Sequence, residues 1–113
     1  MPTPEPSRAR VLVRAFRGTR RSSLYRDHEL EAPAFRRICS AGEQSGLPLL
    51  ASLHAAQRVE LDKADARRLA AEVSRLRRQA LLLELDDDLT AIGTLARWCA
   101  RAAGDAWLTV EQR

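Results

Sequence analysis

Residues 62–83 read DKADARRLAAEVSRLRRQALLL, and the apolar spacing in this stretch decides the fold class. Ala66, Leu69, Val73, Leu76, Ala80 and Leu83 recur at intervals of 3, 4, 3, 4 and 3 residues. That period matches the α-helical turn, so the six side chains form one apolar stripe, with Arg67, Arg68, Glu72, Arg75, Arg77 and Arg78 off it. Asp62 is the N-cap, its carboxylate placed to accept a free N–H of the first turn. The spacing predicts an amphipathic helix of about six turns. Such a stripe serves either as core against a sheet or as a self-association seam, and its 3–4 spacing keeps a homodimer open. Leu81, Leu82 and Leu85 widen the apolar face beyond a narrow seam, which favours core.

Downstream, Asp86, Asp87 and Asp88 interrupt the pattern, and Asp88 is expected to cap a further helix. Leu89, Ile92, Leu95 or Ala96, Cys99 and Ala103 give that helix its apolar face, Gly104 ends it, and residues 107–110 (WLTV) read as a last strand. Upstream, residues 9–17 (ARVLVRAFR) alternate: Val11, Val13 and Ala15 point one way, Arg10, Leu12, Arg14 and Phe16 the other. After a turn at 18–23, residues 24–31 alternate again. Leu24, Arg26, His28 and Leu30 fall on one side, and Tyr25, Asp27, Glu29 and Glu31 on the other. A hairpin of the two strands sets arginines of the first near acids of the second.

Pro33 suits the first turn of a helix, with Phe35, Ile38 and Cys39 on its apolar face and Gly46 at its C-terminal end. Residues 47–53 are apolar around Pro48 and are expected to form a buried strand, with 57–61 as its hairpin partner. The order is then β-β-α-β-(β)-α-α-β. Clustered strands and helices joined by short links imply an α+β fold, a small, mostly antiparallel sheet packed against two or three helices. Residues 9–113 are read as a single domain, preceded by an extended leader, 1–8, with Pro at 2, 4 and 6.

Composition agrees with a helix-rich domain: 19 Ala and 17 Leu outnumber seven Val and Ile combined. The positive charge is carried by 18 Arg and a single lysine, Lys63. Residues 1–37 hold nine Arg against four acids, whereas 38–113 hold ten basic and eleven acidic groups, so the basic excess sits in the first third. Cys39 and Cys99 lie in helical patterns beside apolar neighbours and read as buried free thiols. With no apolar run of membrane-spanning length and no signal-like apolar segment, the expected location is the cytoplasm.

Candidate chemistry is sparse. His28 and His54 belong to no spaced pair. Cys39, beside Arg36 and Arg37, could pair with a histidine as a nucleophile, but its place on the Phe35–Ile38 face argues for burial. Asp27, Glu29 and Glu31 share a strand face and Asp86–Asp88 are consecutive; either group could hold a hard cation, but a solvated face balanced by nearby Arg and a helix start are the preferred accounts, and no metal site is assigned. No glycine-rich phosphate loop is present, and no cofactor is implied. The segment 8–21, with six Arg and no acid, is the most informative polar feature. These observations lead to a non-enzymatic binding protein, an adaptor, regulator or immunity-type inhibitor, meeting an acidic protein partner through Arg14, Arg17, Arg20, Arg21 and Tyr25. The second reading is a nucleic-acid-binding module using the same arginines. The third is a small enzyme using Cys39 or a histidine.

Overall fold

In the computed structural model, which describes residues 9–18, 23–79 and 81–113, the two alternating stretches form strands β1 (Arg10–Arg17) and β2 (Ser23–Glu31). They pair antiparallel, with Arg14 opposite Asp27 and Arg10 Nε 3.6 Å from Glu29. Helix α1 (Ala32–Gln44) follows with Pro33 in its first turn and Phe35, Ile38 and Cys39 buried. Gly46 takes φ 69° just beyond it, a left-handed conformation that costs glycine little, and Leu47 N–H closes the end on the Gly42 carbonyl at 2.8 Å.

Next come helix α2 (Pro48–Ser52), strand β3 (Arg58–Leu61), helix α3 (Lys63–Arg78), a single 3₁₀ turn (Leu83–Leu85), helix α4 (Asp86–Arg101) and strand β4 (Ala106–Gln112). The sheet is antiparallel throughout, in the order β2-β1-β4-β3, so the last strand returns beside the first. The fold is α+β, one open four-stranded sheet with four helices. Val11, Val13, Ala15, Leu30, Leu61, Leu108 and Val110 of the sheet share a single buried cluster with the apolar faces of the helices.

On the opposite face, register sets Leu12 between Glu29 and Glu111, and Arg14 between Asp27 and Thr109. Leu12 and Thr109 are buried even there. Their neighbours are long charged side chains, whose aliphatic stems cover apolar surface while their heads stay in water.

Four expectations are corrected. Residues 47–53 do not form a strand: Pro48 starts a helix, and the buried carboxylate of Glu72 accepts the N–H groups of Leu49 (3.2 Å) and Leu50 (2.8 Å) at its N-terminus. The segment at 58–61 consequently pairs with β4 rather than with 47–53. Helix α3 is capped by Asp62 as expected, Oδ1 accepting from Asp65 N–H at 2.8 Å, but it stops at Arg78, after about four turns. Ala66, Leu69, Val73 and Leu76 of the stripe are buried; Leu83 is 71% exposed and Ala80 lies outside the described residues.

Helix α4 begins at Asp86, so Asp88 is in its first turn rather than capping it, and Ala103 is exposed beyond its end. The break lets the chain reverse: Arg77 at the end of α3 donates to both carboxylate oxygens of Asp86, at 2.9 and 3.3 Å. This contact holds the guanidinium in its charged form and the Asp86 carboxyl below its ordinary range. At the far end of the antiparallel pair, Lys63 Nζ donates to the carbonyls of Ala102 (2.5 Å) and Gly104 (3.0 Å). The expected leader, 1–8, lies outside the described residues.

Two substitutions test this packing. Alanine is normally worth about 1 kcal/mol more than glycine inside a helix. At Gly42 a Cβ would stand 2.7 Å from Leu50 Cβ, so Gly42→Ala should instead lose about 1–3 kcal/mol in urea unfolding. A gain would mean that α1 and α2 do not meet there. Glu72→Ala leaves two N–H groups without their acceptor and should cost about 2–3 kcal/mol, Glu72→Gln less, by the same measurement.

Candidate functional site

Strict alternation along β2 would put Tyr25 on the face that carries Asp27, Glu29 and Glu31. A register shift prevents it. Ala15 pairs with Arg26 and Phe16 with Leu24, leaving Tyr25 as an extra residue in β2 with no partner across the ladder. A bulge of this kind re-aims a side chain. The Tyr25 ring turns to the helical side and stacks on Trp98 of α4, with centroids 4.0 Å apart and planes 4° from parallel. The Arg26 guanidinium lies over the same Tyr25 ring, 5.5 Å from its centroid.

The stack stands in an open recess of about 500 Å³ lined by Arg17, Tyr25, Thr94, Arg97, Trp98, Arg101, Ala102 and Ala103. Helix α4 supplies one wall, because Thr94, Arg97, Trp98 and Arg101 recur at three- and four-residue intervals and so share a face. Arg97 Nη2 donates to Thr94 Oγ1 at 3.4 Å. The Lys63 clamp holds the helix end that carries Arg101 and Ala102. Gly18 N–H, bonded to the Asp105 carbonyl at 2.9 Å, ties the end of β1 to the approach of β4 and keeps Arg17 at the rim.

Clustering of charge distinguishes this recess. Of the arginines elsewhere, Arg10 pairs with Glu29, Arg37 with Glu84, Arg58 with Glu60, Arg68 with Asp65, Arg77 with Asp86 and Arg113 with Glu111. Arg14, Arg36, Arg67, Arg75 and Arg78 make no ion pair among the described residues, but they do not line a shared recess with aromatic rings. Among the described residues, no carboxylate lines the recess, and Arg17, Arg26, Arg97 and Arg101 make no ion pair. The site is therefore a π-surface ringed by unneutralised guanidinium groups.

Of the contact residues read from the sequence, Arg17 and Tyr25 come together here. Arg14 lies on the opposite face of the sheet, beside Asp27 and Thr109, and Arg20 and Arg21 fall outside the described residues. Arg97, Trp98 and Arg101 were not singled out. The signal was present, as a second, polar and aromatic face on the last helix, but the apolar face alone defines that helix, and nothing local links it to Tyr25.

The other candidate groups lie apart from the recess. Cys39 and Cys99 are buried free thiols, each pushed up to about 11 by burial. Cys39 meets His54 through the backbone of that residue, not as a thiol–imidazole pair. His28 Nε2 is 2.7 Å from Asp88 Oδ1, joining β2 to α4. Among the described residues no three metal-ligating side chains gather, and no helix is long and apolar enough to cross a membrane.

The thiols give a direct check. With a pKa near 11 against an ordinary 9.0, each ionises about a hundredfold less at pH 8 than in the unfolded chain. Iodoacetamide should therefore modify the native protein at least about a hundredfold more slowly than the urea-unfolded protein. Raised thiol pKa values favour the folded state below pH 9 and lose that contribution as pH climbs from 9 to 11. Equal alkylation rates would place a cysteine at the surface.

No protein-family model, curated protein or solved structure matches this chain.

Proposed function

We propose that this is a non-enzymatic binding protein, an adaptor, regulator or inhibitor acting by contact, and that it docks an anionic partner in the recess between β2 and α4. One observation carries the reading: Arg17, Arg26, Arg97 and Arg101 surround the Tyr25–Trp98 stack without a carboxylate among the described lining residues. Guanidinium groups left unneutralised attract an anion at long range and can bind it bidentately at contact. Tyr, Trp and Arg are also the residues in which binding energy concentrates at contact surfaces. A non-catalytic role is supported by where the reactive groups lie: both thiols are buried, and His28 is engaged by Asp88.

Retention on immobilised heparin at increasing salt tests this. The wild type should be retained, and Arg97→Glu with Arg101→Glu should lower apparent affinity about tenfold or more. Arg75→Glu with Arg78→Glu makes the same change in net charge on exposed residues at the other end of the α3–α4 pair, and should change it less than about twofold. Equal losses from both double variants would reduce the effect to bulk charge and remove the recess from the account.

A further inference from the structure

Given that the recess docks anions, as proposed above, we infer that its occupant is single-stranded nucleic acid, with a base on the Tyr25 platform and the adjoining phosphates on Arg97 and Arg101. Acidic peptide and single strand would both satisfy the arginines. They differ in what they do with the rings. Tyr25 is 45% exposed although it is stacked on Trp98, and over its ring lies only the guanidinium of Arg26, which has no ion pair among the described residues to hold it and which a base can displace to reach the ring. Bases stack on aromatic rings whatever their identity, and a guanidinium like that of Arg26 can lie over a base as it lies over tyrosine. An acidic side chain has no group that uses a ring face.

Size and spacing agree. About 500 Å³ suits a nucleotide-sized group, whereas a standard protein contact spreads over a broad and flatter patch. Arg97 and Arg101 stand one helical turn apart, about 6 Å along the axis, the scale on which consecutive phosphates follow one another in an extended strand. Duplex does not fit, because its base faces are already stacked and hidden. The cations of the site are arginines, whose planar fork both grips phosphate and stacks.

The test uses the full chain and fluorescence anisotropy with labelled single-stranded oligonucleotides of about twelve residues, within the range that small stacking modules cover. The comparison probes are an abasic strand with the same number of phosphates, the corresponding duplex, and polyglutamate. The base-bearing strand should bind about tenfold or more tightly than the abasic strand and the duplex. Tyr25→Leu should bring it down to the abasic level, while Tyr25→Phe, which keeps the ring, should retain most of the difference. Circular dichroism of both variants verifies the fold, and Tyr25 is exposed enough for either to be tolerated. Equal binding of base-bearing and abasic strands, or tighter binding of polyglutamate, would overturn the nucleic-acid assignment and leave the anion-docking face standing. Failure of every polyanion to bind would overturn both.

Discussion

Leu69, Val73 and Leu76 of α3 and Leu89, Ile92 and Ala96 of α4 are buried in one cluster with Val13, Ala15 and Leu108 of the two central strands. The sheet is covered by helices on this one side, so its inward residues have no alternative partner. Burial of a leucine-sized side chain is worth about 1.5–3 kcal/mol, which makes this layer the dominant favourable contribution. The polar contacts at both ends of the helical pair then set its orientation: Arg77 with Asp86 at one end, Lys63 with the last carbonyls of α4 at the other. Because α4 is fixed in this way, Trp98, Arg97 and Arg101 are presented to the bulged end of β2 without relying on loop conformation. The recess is built by scaffold elements, which limits the ordering that a partner must impose on binding.

Most of the architecture could be read from local pattern. The period-two alternation of 9–17 and 24–31, Pro33 at the start of α1, Gly46 beyond its end, and Asp62 at the cap of α3 are signals whose physics is complete within a few residues. The failures share a cause. Residues 47–53 carry an apolar run that strand and buried helix can share, and the choice falls to Glu72, a carboxylate over twenty residues away that accepts two amide protons. The stripe of α3 continues on paper through Ala80 to Leu83. The helix nevertheless ends at Arg78, where Asp86 draws Arg77 into the reversal.

The recess was half legible for the same reason. Its β-hairpin contribution, Arg17 and Tyr25, stands out as charge and aromaticity within a short segment. Its α4 contribution is separated from Tyr25 by some seventy residues and meets it through the order of strands in the sheet, which no local pattern encodes. Arg14 illustrates the converse. It belongs to the same basic run as Arg17, but three residues along a strand change the face, and Arg14 lies among the acids of the neighbouring strands.

The bulge in β2 carries a consequence for inheritance. Whether Tyr25 meets Trp98 is decided by how many residues the edge strand contains, not by which they are. A descendant that lost one codon from this strand could keep every arginine, the hydrophobic layer and the whole topology, yet turn its aromatic ring to the opposite side of the molecule. Loss of the ring needs a substitution at Tyr25 or Trp98 themselves, whereas a one-residue deletion in the strand would separate the two rings with both still present.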